Sequence, residues 1–226
     1  MDEKISSTWK SVITAEWAQR RTTAANHDED AANQRMQLVS DDGVGVEEIL
    51  SMVDTLLSGR LTMGPRVDEF ERKFAEWIGS PFAVMTNSGS SANLLAITSL
   101  VNHGRQQHQR LSHGDHVLIP AVCWPTSVWP IRQAGLIPVF VDVDPVTMNI
   151  DVIDVERRIT SKTKAIVLVH VLGNSCPMIP LMKIVRKYNL IVVEDTCESL
   201  GSTAADDNSN NSSNNSSNNS SNNSSN

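Results

Sequence analysis

The chain has 226 residues, a net charge of −7 and no cluster of basic residues, which argues against nucleic acid as its main partner. No stretch is long and apolar enough to span a bilayer, and Met1-Asp2-Glu3-Lys4 lacks the basic and then apolar order of a secretion signal. The three cysteines, Cys123, Cys176 and Cys197, show no CxxC spacing; an odd count without an export signal fits reduced thiols in a cytoplasmic compartment.

Residues 1–40 are polar and weakly patterned, with at most a helix over Lys4 to Arg21 carrying Trp9 and Trp17. From Val46 the pattern becomes regular. Ile49, Leu50, Val53, Leu56 and Leu57 have helical spacing, ended by Ser58-Gly59, and a second amphipathic helix runs from Arg66 to Ile78 and closes at Gly79. Ala83-Val84-Met85 reads as a short strand, followed by a helix from near Ser91 to Val101. Strands are then predicted at His116–Ile119, Ile137–Val143, Ala165–Val169 and Leu190–Val193. Helices are predicted between them at Ser127–Ala134, from an Asp151 cap to Ile159, and at Ile179–Tyr188. Alternating strands and helices predict an α/β fold with a mainly parallel sheet and helices on both faces. No GxGxxG follows a strand, which argues against a Rossmann dinucleotide site. The final stretch, Asn208 to Asn226, holds only Asn and Ser. It has no apolar surface to offset chain entropy and is expected to be disordered. The domain reading is therefore a polar extension over 1–40, one folded domain over 41–206 and a low-complexity tail over 207–226.

Three places can carry chemistry. Thr86-Asn87-Ser88-Gly89-Ser90-Ser91-Ala92-Asn93 joins a strand to a helix. Its small residues and free first-turn N–H groups suit a phosphate, and equally suit an ordinary N-capped helix. Trp124, just past the strand at 116–119, is placed either to stack on a planar ligand or to be a partly buried structural ring. Asp195 closes an apolar strand, where open α/β sheets bind their ligands; a helix cap is the plainer reading. Taken together, a phosphate cradle, a flat ring and a carboxylate are what pyridoxal phosphate needs, because an anion beside the pyridine nitrogen keeps it protonated and electron-accepting. His103, His108, His113 and His116 lack metal-ligand patterning and read as solvated. His170 ends a buried strand near the site, with a structural role at least as good as a binding one.

Six stretches, in this order and spacing, resemble the DegT/DnrJ/EryC1/StrS family of sugar-nucleotide aminotransferases and dehydratases. They are Thr62-Met63-Gly64 with Val67-Asp68-Glu69-Phe70-Glu71, Ser88 to Leu95, Gly114-Asp115-His116-Val117, Pro120-Ala121-Val122-Cys123-Trp124, Leu172-Gly173-Asn174, and Glu194 to Gly201. The resemblance covers about residues 39 to 206 and implies the large domain of a fold-type I PLP-dependent transferase, here truncated. It implies pyridoxal phosphate or pyridoxamine phosphate as cofactor, a nucleotide-sugar substrate from deoxysugar biosynthesis, and a homodimer with sites at its interface. By the same resemblance Gly89, Ser90 and Ser91 hold the phosphate, Trp124 stacks on the ring, Asp195 pairs with the pyridine nitrogen, and Glu198 lies near the phenolic oxygen.

Typical aminotransferases of the family carry Gln at the position of Glu198 and a Gln-Pro-like pair after the glycine at Gly173. The text here looks slightly more like the 3-dehydratases of 4-keto-6-deoxy sugar nucleotides. The family places a Lys or His base downstream of the aspartate, whereas no Lys, His or aromatic residue follows Asp195 here. Two expectations stand side by side: a truncated sugar-nucleotide enzyme without its catalytic base, or a non-catalytic remnant that binds a partner, such as an intact paralogue.

Overall fold

The computed structural model describes residues 3–27, 44–106 and 110–203; the tail expected to be disordered lies outside them. The chain divides into two compact units between Met85 and Thr86.

The described residues of the first unit form three helices, α1 (Glu3–His27), α2 (Val46–Leu57) and α3 (Pro65–Ile78). Helix α1 extends beyond the expected Lys4–Arg21 span at both ends. At the start of α2, the Glu48 carboxylate accepts the Gly45 N–H at 2.7 Å, which satisfies one of the donors a helix start leaves open. Helix α3 begins on Pro65 and ends at Gly79, whose φ of 69° is left-handed; its N–H reaches back to the carbonyls of Ala75 and Glu76. Phe70 stacks on Phe74 with ring centroids 5.5 Å apart. Ala83–Met85 does not form the expected strand. The segment is extended without a ladder partner among the described residues, and Val84 and Met85 are largely exposed. An apolar triplet meets a strand's side-chain preference, but a strand also needs a neighbour to take its backbone hydrogen bonds.

The second unit is built on four parallel strands, β1 (His116–Pro120), β2 (Ile137–Val141), β3 (Thr163–Val169) and β4 (Ile191–Asp195), in the order β2-β1-β3-β4. Four helices accompany them: α4 (Gly89–Leu100), α5 (Pro125–Gln133), α6 (Val152–Arg158) and α7 (Met178–Tyr188). Of the five sequence-predicted strands, the four from His116 onward are present, with ends displaced by two residues or fewer. Pro138 is tolerated inside β2 because β2 lies at the sheet edge, where a missing N–H breaks no ladder on the outer side.

Alternation along the strands separates two cores. Leu118, Ile166 and Leu168 face Val155 of α6 and Leu181, Ile184 and Val185 of α7. Val117, Ile119, Ala165 and Val167 face Ile97 and Leu100 of α4 and Ile131 of α5. This is why β1 and β3 read as continuous apolar runs: both of their faces are covered. The chain steps outward from β1 to β2 through α5 on one face, and from β3 to β4 through α7 on the other. Right-handed crossovers that run in opposite directions require opposite faces. The reversal lies between β1 and β3, and open sheets of this kind bind ligands at the carboxyl end of that point.

Candidate active site

Asp195 is the last residue of β4. Its Oδ2 accepts two hydrogen bonds, from Asn93 Nδ2 of α4 at 2.9 Å and from Ser127 Oγ of α5 at 3.0 Å. Its Oδ1 accepts the Cys197 backbone N–H at 3.2 Å. Burial alone would raise the carboxyl, but hydrogen bonds from Asn93, Cys197 and Ser127 outweigh it and hold Asp195 below the usual carboxylate range. Asp195 is thus an anion in a half-buried setting. Burial, followed by the Asp195 charge, raises the Cys123 thiol, and burial, then the hydrogen bond Cys197 donates to Asp195 and the Asp195 charge, raise Cys197 to about 11. Both are neutral thiols at neutral pH, and poor nucleophiles.

The serine turn enters α4. Ser88 is the N-cap, its Oγ accepting the Ser91 N–H at 3.2 Å, and the Ser88 carbonyl accepts the Ala92 N–H. The cap and the open helix mouth therefore coexist: the N–H groups of Gly89 and Ser90 have no acceptor among the described residues. A Cβ built on Gly89 would meet nothing within 4 Å. The space over the first turn is open, and the donors aimed along the helix axis suit an anion.

Trp124 caps α5 from the N-terminal side, ahead of Pro125. The residue is 72% exposed, against the reading of a partly buried structural tryptophan. A second indole, which the sequence reading missed, lines a cleft of about 280 Å³ with Ser90, Ser91, Leu94 and Thr126: this is Trp129. Trp124 does not line that cleft. The structure thus brings the serine turn, Asp195 and the start of α5 together at the carboxyl edge of the sheet, on the face covered by α4 and α5.

Glu198 has a structural partner. Its Oε2 accepts the Leu172 N–H at 2.6 Å, fixing a 3-10 turn over Val171–Gly173 in which Leu172 itself has a left-handed φ of 55°. His170 is buried on the opposite sheet face. Its Nδ1 accepts the Cys176 N–H at 3.0 Å, so the ring proton sits on Nε2, which lies 3.1 Å from Glu194 Oε2. Asn149 completes this network, donating to the carbonyls of Asn174 and Ser175 and accepting from Val171 N–H. Of the two readings of His170, the geometry favours the structural one. Asn93 stands in the serine-rich stretch and Ser127 at the start of a predicted helix, and the sequence assigns a role to neither. The signal for Asn93 was a lone amide in the otherwise small and apolar text of α4. Among the described residues no three His, Cys, Asp or Glu side chains cluster as a metal site, and no helix is long and apolar enough to cross a membrane.

An ionised carboxylate at the end of β4 and an open helix mouth at the start of α4 stand at the carboxyl edge of a parallel sheet, the edge at which open α/β domains bind their ligands. The chain belongs to the DegT/DnrJ/EryC1/StrS aminotransferase family, whose profile matches residues 44–217. It is 46% identical over 160 residues to the lipopolysaccharide biosynthesis protein RfbH of Salmonella typhimurium, a match covering 71% of this chain and 36% of that protein. It is 41% identical over 157 residues to the GDP-4-keto-6-deoxy-D-mannose 3-dehydratase of Yersinia pseudotuberculosis, covering 69% and 39% respectively. A crystal structure of GDP-4-keto-6-deoxymannose-3-dehydratase with a trapped PLP-glutamate geminal diamine superposes with a TM-score of 0.69 at 39% identity, over 75% of this chain and 43% of that one. The chain therefore spans about two fifths of the length of these relatives, and the expected fold, an α/β transferase large domain with a mainly parallel sheet, is the one observed.

Proposed function

We propose that this chain provides the cofactor-binding face of a pyridoxal phosphate or pyridoxamine phosphate enzyme acting on a 4-keto-6-deoxy sugar nucleotide. The observation that carries this reading is the placement of an anionic Asp195 and the open first turn of α4 on the same side of one sheet edge. The residues present fit such a group. Gly89 leaves room for close approach, the Gly89 and Ser90 N–H groups and the Ser90 and Ser91 hydroxyls would hold the phosphate, and Asp195 would pair with a protonated pyridine nitrogen. Trp124 offers an exposed ring for stacking. When bound, the cofactor supplies an electron sink for the substrate carbon. Glu198, through Leu172, would keep the turn beside the site in place rather than act on substrate.

Two observations support 3-dehydration over amino transfer: Glu198 and Asn174 stand where Gln and a Gln-Pro-like pair mark typical aminotransferases, and a 3-dehydratase is among the similar proteins. Amino transfer is the alternative, and the family's own name supports it. No residue of this chain is assigned as the catalytic base. A second copy is the partner this reading calls for, and Leu57, Leu61, Met63 and Phe82, all more than half exposed, offer apolar surface for it.

Titration of the purified chain with pyridoxal phosphate and with pyridoxamine phosphate, read by induced circular dichroism in the cofactor band, tests the site. Saturable binding that weakens at least about tenfold in Asp195→Ala is expected, the equivalent of losing one charged hydrogen-bonded contact. Absence of an induced signal with both cofactors would remove the proposal.

A further inference from the structure

Each of the two helices that present candidate cofactor contacts at its start also reaches Asp195 one turn further on. Helix α4 offers the open N–H groups of Gly89 and Ser90, and three residues after Ser90 its Asn93 donates to Asp195 Oδ2 at 2.9 Å. Helix α5 is entered through Trp124, and three residues later its Ser127 donates to the same oxygen at 3.0 Å. Ser127 is 2% exposed, and leaving a buried hydroxyl without its hydrogen bond costs free energy. Two neutral donors converge on one carboxylate oxygen from two different helices. The other oxygen accepts the Cys197 backbone N–H at 3.2 Å, and the Cys197 thiol also donates to the carboxylate.

We infer that Asn93 and Ser127 are positioning residues, a two-helix clamp that orients Asp195 toward the pyridine nitrogen of the cofactor and ties that anion to the phosphate-holding turn. This rests on the reading of the site as a pyridoxal or pyridoxamine phosphate site. The clamp holds Oδ2 by two bonds from two helices and so fixes the orientation of the carboxylate plane. It favours the charged form of Asp195, because both partners donate to Oδ2, and hydrogen bonds given to a carboxylate lower its pKa. The titratable groups facing Asp195 are the thiols of Cys123 and Cys197, both neutral at working pH, so they supply no competing charge.

The test uses the full chain and the variants Asn93→Leu, Ser127→Ala and Ser127→Thr. In the ligand-free protein, carbon-13 labelling of aspartate follows the Asp195 carboxyl, assigned by its loss in Asp195→Asn. The midpoint is expected to rise by about half a pH unit or more in Asn93→Leu and in Ser127→Ala, and to stay in place in Ser127→Thr, which keeps the hydroxyl. Cofactor dissociation constants should rise about tenfold in the first two variants and recover in the third. A lowered melting temperature with an unmoved Asp195 midpoint would reduce both residues to packing and overturn the clamp. If Asn93→Leu does not fold, Ser127→Ala against Ser127→Thr decides alone. Cofactor binding without midpoint shifts sinks the clamp and leaves the site reading intact. Midpoint shifts without any cofactor binding sink the site reading and leave the clamp's hold on Asp195 standing, without its orienting role.

Discussion

Asp154 shows how one carboxylate can join two elements. It is 3% exposed, accepts the Asp142 N–H at 2.8 Å at the end of β2, and pairs with the guanidinium groups of Arg157 and Arg158 one turn along α6. Burial raises its carboxyl, but the Asp142 N–H and the two arginines lower it further, to about 2. A depressed carboxylate stabilises the fold above its unfolded value, near 3.8, and that contribution disappears as the pH falls through about 2. Asp154→Asn is expected to cost about 2 kcal/mol at neutral pH, the worth of charge-assisted hydrogen bonds to a mostly solvated pair of arginines. Urea unfolding at neutral pH and at pH 2.5 checks this: the gap between wild type and variant should narrow in acid. At the same scale, Asp195, the serine turn and Trp124 could be singled out in the sequence as candidates because they stand at a strand end, at a helix start and just past a strand. Asn93 and Ser127 could not. A polar side chain inside a helix gains its meaning from a carboxylate many residues away, and nothing in local spacing records that partner.

Helices and strands were legible where both halves of the signal agreed. Asp151 was expected to cap a helix, and its Oδ1 accepts the Ile153 N–H at 2.7 Å. Gly79 was expected to end α3, and it does so at a φ of 69°. A Cβ there would meet no atom within 4 Å, so Gly79→Ala carries the backbone penalty alone, about 1 kcal/mol, measurable as a lowered urea midpoint. Leu118 is the contrasting position, a fully buried side chain of β1 in the core over α6 and α7. Leu118→Ala is expected to cost about 3 kcal/mol through lost burial and the cavity left behind. Ala83–Met85 marks the limit of such reading. Its composition is that of a strand, yet strand formation is a property of the pair, and no described segment pairs with it.

Across the molecule, burial is distributed unevenly, and dynamics should follow it. Among the described residues up to Met85 only Ala75 is a buried hydrophobic, whereas β1 and β3 are covered on both faces. Amide exchange is therefore expected to be slowest in Val117–Ile119 and Ala165–Leu168 and fast throughout α2 and α3, with the two units opening at different free energies. Uniform protection across 44–203 would contradict this. The family and the parallel sheet could be read from motif order and alternation, because those are properties of the whole string. The two-unit division could not, because it depends on which helices find a covered face.

The outermost position of β4 has one more outcome. Its single ladder is with β3, so one row of backbone amides and carbonyls along Ile191–Asp195 stays unmatched among the described residues, beside valines only half sheltered. A rim of this kind can template cross-β growth, since any extended peptide that arrives there meets ready hydrogen bonds and an oily flank. At high concentration the isolated polypeptide should convert to thioflavin-binding fibrils, seen as a rise in dye fluorescence over time.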